Sequence, residues 1–284
     1  MAAPTVSTTS VFSADLLRDK VALVTGGGSG IGKGIAIALA RHGASVIILG
    51  RNQERLAQAA KDLTAETGKA CETASADVRD VKSLQSVLEP IVNRLGGKLD
   101  ILVNSAAGNF LAPVTKLSAN AFKTVISIDL LGTFNVIKVC QDWLIKAKGN
   151  ILNISATLQY RGTPLQTHAA AAKAGIDSLT KTIATEWGVH GVRINGIAPG
   201  PIASTEGWQR LLPGEARDQA LRNIPLQRFG TVGDIEQAAL FLTSPAASWV
   251  TGHTIVVDGG EWLTSVFYGY PDIVTGKMPL DAKL

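Results

Sequence analysis

Thr25-Gly26-Gly27-Gly28-Ser29-Gly30-Ile31-Gly32 is the part of this sequence whose chemistry is easiest to name. Glycines at this spacing let a chain turn tightly and bring backbone amides close to a ligand. A helix starting at Ile31 would add its positive end, and the combination suits a pyrophosphate. Gly26, Gly28, Ser29, Gly30, Ile31 and Gly32 are therefore candidate cofactor contacts. About 20 residues on, where a dinucleotide site often has an acid for the ribose hydroxyl, the sequence reads Gly50-Arg51. A guanidinium there would grip a 2′-phosphate, so NADPH is the expected cofactor. The alternative is that Arg51 merely heads a helix in solvent. Asp77-Val78 and Asn104 to Gly108, with Ala106 between, follow later strands; Asp77 could accept from an adenine amino group or, alternatively, cap a helix.

These residues need a scaffold. From Lys20 onward, β-branched runs alternate with helical patterns: Val21 to Thr25, Ser45 to Leu49, Ala70 to Ala76, Leu99 to Val103, Asn150 to Ile154, Val192 to Ile197 and Thr254 to Val257. Such alternation predicts an α/β fold of the Rossmann type, a doubly wound parallel sheet of about seven strands with helices on both faces. One domain is expected over residues 16–262, with a flap at about 202–229. Residues 1–15 form an arm poor in apolar surface, and residues 263–284 a tail. Trp262, Phe267, Tyr268 and Tyr270 should pack against the flap or a neighbouring subunit.

Composition narrows the function classes. A formal charge of +4, with 27 Lys and Arg scattered singly, does not point to nucleic acid. Cys71 and Cys140 have no metal or CxxC spacing and the four histidines do not cluster, so no metal site is expected and a reducing compartment is implied. Residues 1–10 lack the pattern of a signal peptide, and no apolar run of about 20 residues stands out as a membrane span. The final Ala282-Lys283-Leu284 is similar to the Ser-Lys-Leu address read by the peroxisomal import receptor.

The ordered series TGGGSGIG, Asp77-Val78, Asn104-Ser105-Ala106-Ala107-Gly108, Lys173 and Pro199-Gly200-Pro201 resembles the short-chain dehydrogenase/reductase family from about Lys20 to Trp262. The resemblance implies that Pro199 through Thr205, including Ile202 and Ser204, closes over the nicotinamide, and that Lys173 touches the cofactor. It also exposes a departure. Members pair a tyrosine with a lysine four residues later, on one helix face, so that the lysine lowers the phenol pKa. Counting back from Lys173, the tyrosine slot is Ala169, and the serine slot thirteen residues earlier is Ala156. Neither can donate a proton. In the helix from Asn120 to about Lys146, the structural asparagine of the family, three residues before a glycine, is here Asp129 before Gly132.

Asp129 should lie near Lys173, as a catalytic group or only as its structural partner. Without an acid at the carbonyl, ketone reduction loses a contribution of about 10²–10⁴ in rate. Hydride addition to the far end of a 2,4-dienoyl thioester instead sends charge to the thioester oxygen, and the proton must reach the α-carbon. The wording of Asn104 to Leu111, Asn120 to Thr124, Asp129 to Asn135 and His168 to Lys173 is similar to peroxisomal 2,4-dienoyl-CoA reductases. That group implies a catalytic Asp129–Lys173 pair, reduction of trans-2,4-dienoyl-CoA to trans-3-enoyl-CoA, acyl-CoA contacts at Arg51, Arg79, Phe110, Ser118, Ala119, Asn120 and Arg210, a homotetramer and a peroxisomal location. Phe110 could equally be core. Tyr160 and His168 stay open as proton donors, and a ketoacyl reductase or an inactive NADPH-binding interaction protein are the competing functions.

Overall fold

Each of the seven β-branched runs forms a strand, and all seven join one parallel sheet. The computed structural model describes residues 11–203, 205 and 220–264. The strands are β1 (Val21–Thr25), β2 (Ser45–Gly50), β3 (Cys71–Ser75), β4 (Ile101–Asn104), β5 (Asn150–Ile154), β6 (Arg193–Pro199) and β7 (Thr254–Val257), in the order β3-β2-β1-β4-β5-β6-β7. Strand ends differ from expectation by up to two residues: the runs overshoot the ladder at β3 and at the starts of β4 and β6, whereas β2, β4 and β6 pair on to Gly50, Asn104 and Pro199. The main helices are α1 (Gly30–Arg41), α2 (Gln53–Thr67), α3 (Val81–Arg94), α4 (Ala119–Ile126), α5 (Gly132–Ala147), α6 (Thr167–Trp187) and α7 (Val232–Thr243), with a last turn α8 (Glu261–Thr264).

Buried on both faces, the central strands are continuously apolar rather than alternating, as a sheet covered on both sides requires. Val24 and Ile48 face a core that includes Ile35 and Leu39 of α1 and Ile235 and Leu240 of α7. Leu23 and Ile47 face the other core, with Leu84 and Leu88 of α3, Cys140 and Leu144 of α5, and Ile183 of α6. Cys140 is fully buried and burial pushes its thiol up; the Cys71 thiol is pushed up to about 12 for the same reason. Both are free thiols and inert as nucleophiles at neutral pH.

One predicted helix is built differently. The expected continuous helix from Asn120 to Lys146 contains a π-helical turn at Ser127–Leu131 between α4 and α5. A π turn admits one extra residue and rotates the helix beyond it, and such turns are frequent at functional sites. Together the three pieces make a 29-residue helical run, Ala119–Ala147, that is long and apolar enough to cross a membrane by length and composition. That differs from the sequence expectation. Its apolarity is explained by packing, since Val136, Ile137, Cys140 and Leu144 lie in the core.

Phe12 and Leu16, at the edge of the expected arm, pack against the α1 core. From the flap region, Ile202 bridges Gly230, and Ala220 and Ile224 are buried. Trp262 meets Tyr160 edge-on at 5.9 Å between ring centroids. Phe267, Tyr268, Tyr270 and the final tripeptide lie outside the described residues, as do Ser204 and Arg210.

Candidate active site

The strand order reverses at β1, whose neighbours β2 and β4 diverge, and a cleft of about 890 Å³ opens at the carboxyl ends of the strands there. Its floor begins with the glycine loop. Gly26 has φ +66°, and a Cβ there would lie 2.8 Å from the Ser105 carbonyl oxygen; one on Gly32 would lie 2.5 Å from the Gly26 oxygen. These two glycines therefore let α1 approach β1 and β4. Gly30 has φ +53° with open space beyond it. No side chain caps the start of α1, although Ser29 occupies the capping position. Amides at that end suit an anionic ligand, so the loop fits a dinucleotide pyrophosphate.

At the end of β2, Arg51 lines the cleft, and so do Asn52 and Arg55. Asn52 caps α2 by accepting the Arg55 amide at 2.8 Å. Arg55 stands one turn from Arg51, and the Arg55 side chain passes Gly28 closely enough that a Cβ there would lie 3.3 Å from its Cγ. Sequence reasoning missed this second arginine, although its spacing of four from the first is a signal that could have found it. Asp77 lines the cleft and is gripped by Arg79, whose Nε and Nη2 donate to its two carboxylate oxygens at 2.9 and 2.6 Å. The guanidinium holds the Asp77 carboxyl below its usual range, mainly through these hydrogen bonds. Asp80, not Asp77, caps α3.

The far end of the cleft contains the acid and the base. Asp129, on the π turn, is 1% exposed, and Lys173, on α6, is 8% exposed. The Gly108 amide donates to Asp129 Oδ1 at 2.7 Å, and Lys173 Nζ lies 3.5 Å from Oδ2. Lys173 also donates to the Ile154 carbonyl at 3.0 Å. Burial holds the Asp129 carboxyl above the ordinary carboxylate range, with Lys173 and the Gly108 amide opposing. Ala156 and Ala169 line the cleft beside this pair, as does Leu158. No proton donor stands at either alanine.

The cleft lining also contains Gly28, Ile31, Val78, Ala106, Pro199 and Thr205. Other expected contacts stand elsewhere. Asn104 is buried and donates to Asn153 Oδ1 at 2.9 Å. Gly200 packs on Asp258, where a Cβ would come within 2.7 Å of its Cα. Pro201 and Ile202 line a second cavity of about 430 Å³. Of the expected acyl-CoA contacts, Arg51 alone among the described residues lines the cleft; Ser118 caps α4, with Ala119 and Asn120 exposed beside it. Phe110 is half-buried and stacks on His168, ring centroids 4.3 Å apart. Tyr160 lies off the cleft, and burial pushes its phenol up to about 12. Asn109 and Ser155 are lining residues that sequence reasoning missed, since both are ordinary loop positions.

A family model described as enoyl-(acyl carrier protein) reductase matches residues 26–261. Among curated proteins, the chain is 51% identical over 259 residues to the peroxisomal 2,4-dienoyl-CoA reductase [(3E)-enoyl-CoA-producing] of Danio rerio, covering 90% of this chain and 86% of that protein. It is 44% identical over 270 residues to the protein of that description in Saccharomyces cerevisiae, with 93% and 92% covered. Among solved structures, a putative short-chain alcohol dehydrogenase from Sinorhizobium meliloti superposes with a TM-score of 0.81 at 34% identity, over 89% of this chain and 100% of the other. A citronellol catabolism dehydrogenase from Pseudomonas aeruginosa gives 0.78 at 35% identity, over 89% and 99%.

Proposed function

This chain belongs to the short-chain dehydrogenase/reductase family, and from that premise we propose that it is an NADPH-dependent reductase of trans-2,4-dienoyl-CoA that produces trans-3-enoyl-CoA. The observation that carries the reading is the buried Asp129–Lys173 pair beside two alanines, Ala156 and Ala169, where a carbonyl reductase needs its donors. An acid is present in the same cleft, but on a different element from the two vacant carbonyl slots.

The family uses a nicotinamide cofactor, which when bound supplies a hydride, here to the δ-carbon of the diene. The glycine loop and the start of α1 hold the pyrophosphate, and Arg51, with Arg55 behind it, grips the 2′-phosphate that distinguishes NADPH. Lys173, tethered to the Ile154 carbonyl, orients the ribose and keeps its charge next to Asp129. Pro199 and Thr205 cover the nicotinamide end of the cleft.

The substrate gains two electrons at the δ-carbon, its remaining double bond moves to the 3,4 position, and the α-carbon takes one proton. Asp129 and Lys173 hold the water that delivers this proton. Burial raises the Asp129 carboxyl above the ordinary carboxylate range, and the Gly108 amide fixes the oxygen that does not face Lys173. Atoms balance as dienoyl-CoA, NADPH and one proton giving 3-enoyl-CoA and NADP⁺.

Arg79, Phe110 and Ser118 to Asn120 form the acyl-CoA approach outside the cleft, where arginine suits the CoA phosphates and an aromatic ring the pantetheine. Half-exposed Leu131 and Phe134 and fully exposed Trp249 support assembly into a homotetramer, which sedimentation equilibrium would test. Peroxisomal location through the terminal Ala282-Lys283-Leu284 completes the reading, in keeping with the names of the relatives.

The direct test offers purified protein NADPH with either a trans-2,4-dienoyl-CoA or a 3-ketoacyl-CoA, following NADPH oxidation and loss of diene absorbance. Turnover of the diene alone is expected. Turnover of the ketone alone would replace this reading with a ketoacyl reductase, and none with either would make the chain an NADPH-binding interaction protein.

A further inference from the structure

Two carboxylates line the cleft among the described residues: Asp129 beside Lys173, and Asp77 at the end that carries Arg51 and Arg55. Asp77 stands close to Arg51 because β2 and β3 end together. Gly50 pairs with Ser75, the Ala76 amide donates to the Gly50 carbonyl at 3.0 Å, and Ser75 Oγ donates to the Arg51 carbonyl at 3.4 Å. Asp77 follows directly. A carboxylate in that place opposes NADPH in two ways: it repels a 2′-phosphate, and it competes with that phosphate for the Arg51 guanidinium.

Arg79 takes up this carboxylate. Its backbone amide and Nε both donate to Asp77 Oδ1 at 2.9 Å, and its Nη2 donates to Oδ2 at 2.6 Å. The turn that brings the two residues together is fixed at both ends. The Asp80 amide donates to the Asp77 carbonyl at 2.9 Å, and Asp80 in turn caps α3 by accepting the Ser83 amide at 3.1 Å. Asp77 is half-buried and lines the cleft, whereas Arg79 is exposed and stands outside it. The carboxyl is held below its usual range first by the Arg79 hydrogen bonds and last by the Arg51 charge, so it is ionised at neutral pH.

We propose that Arg79 is a positioning residue for cofactor choice: by holding the Asp77 carboxylate it keeps Arg51 for the 2′-phosphate and cancels the negative charge that this phosphate would otherwise meet. The inference rests on the NADPH reading above. Arg51 and Arg55 attract the phosphate, and Arg79 removes their competitor. An acceptor for adenine survives, because Oδ1 takes two donors from Arg79 and Oδ2 only one, which leaves Oδ2 a lone pair. The bonds to Asp77 use Nε and Nη2 and not Nη1, so a CoA phosphate can still meet the same guanidinium.

The test is calorimetric titration of NADPH and of NADH, without acyl-CoA and at about 0.1 M salt, into wild type, Arg79→Gln, Asp77→Asn and the variant carrying both changes. The quantity read is the ratio of the NADH to the NADPH dissociation constant. Wild type should give a ratio of about 10 or more, the worth of a charge-assisted contact. Arg79→Gln should lower it about fivefold or more, because the charge released on Asp77 acts on the phosphate and on Arg51, and NADH has no 2′-phosphate. Asp77→Asn, which keeps an acceptor for adenine, should hold the ratio at or above that of wild type. The double variant should return to within about twofold of Asp77→Asn, because Arg79 has nothing left to neutralise. A double variant below that range would show Arg79 acting on the phosphate directly and overturn the inference. So would a smaller fall in Arg79→Gln, or a ratio below wild type in Asp77→Asn; each of these leaves the NADPH reading standing. A wild-type ratio near one would instead overturn that reading, and the inference with it.

Discussion

Asp129→Asn isolates the charge of the proposed acid from its shape. The Gly108 amide donates to Oδ1 at 2.7 Å, and an asparagine oxygen can accept that bond unchanged. The amide nitrogen then takes the place of Oδ2, 3.5 Å from Lys173 Nζ, so two donors face each other. Lys173 keeps its bond to the Ile154 carbonyl at 3.0 Å and can withdraw toward it. Truncating one partner of a buried ion pair costs about 3–5 kcal/mol, but here a neutral isostere replaces the carboxylate and the lysine retains an acceptor. A loss of about 1–2 kcal/mol of stability is expected, within what buried hydrogen-bond changes cost. Catalysis should suffer more. Removing a positioned proton donor lowers rate about 10²–10⁴-fold, which is about 2.7–5.4 kcal/mol of barrier. The assay is steady-state loss of diene absorbance under saturating NADPH, paired with calorimetric titration of NADPH into the same preparation. NADPH affinity should fall by less than about tenfold while kcat falls at least 100-fold. A variant that binds NADPH and reduces the diene at the wild-type rate would refute the assignment of Asp129.

Arg51→Ala and Arg55→Ala should each weaken NADPH binding about tenfold or more, the worth of one charge-assisted contact, and leave NADH binding unchanged; calorimetry with both nucleotides decides it. Gly132→Ala would bring a Cβ to 2.5 Å from Val78 Cγ2 and should cost about 1–3 kcal/mol in urea unfolding while shifting Asp129 enough to lower kcat. Because the folded-state pKa of His168 is depressed, the unfolded chain binds more protons as pH falls below about 6.5, so part of the stability is lost from there downward. His168→Phe should flatten that part of the stability–pH curve, measured by urea titration between about pH 7 and pH 5. Removing Ala282 to Leu284 should leave the protein in the cytosol by fluorescence microscopy, and continued peroxisomal import would sink the targeting assignment.

The sheet was legible because its strands are short β-branched runs punctuated by turn residues and alternating with helical patterns, although the strand order itself was not read from the sequence. The Asp129–Lys173 pairing was legible only through the spacing of Asp129 to Gly132 and of Ala169 to Lys173. What escaped was local and tertiary. Arg79 was expected as an acyl-CoA contact through the family resemblance, and its closure on Asp77, two residues away across a tight turn, had no signal in the sequence. The stacking of Phe110 on His168 joins residues 58 positions apart and has no periodic signal. Nothing in the run from Asn120 to Lys146 interrupts its apolar helical pattern, so the π turn was invisible.

That π turn is what makes an acid possible at residue 129. An uninterrupted α-helix would carry Asp129 on a row fixed by the residues three and four positions before it. The wider turn at Ser127–Leu131 rotates it instead, and two glycines let neighbouring elements close on the widened segment: a Cβ on Gly132 would strike Val78, and one on Gly175 would lie 2.6 Å from Leu130 Cδ2. The carboxylate is then buried, yet meets an amide on one oxygen and an ammonium near the other. Burial raises its pKa while those two partners keep a charged form accessible. In the proposed reaction this carboxyl is the group that passes a proton to the water bound for the α-carbon. The vacant Ala156 and Ala169 are consistent with this relocation, since donors at those positions would act on an oxygen beside the hydride-accepting carbon, and in a conjugated dienoyl thioester no oxygen stands there.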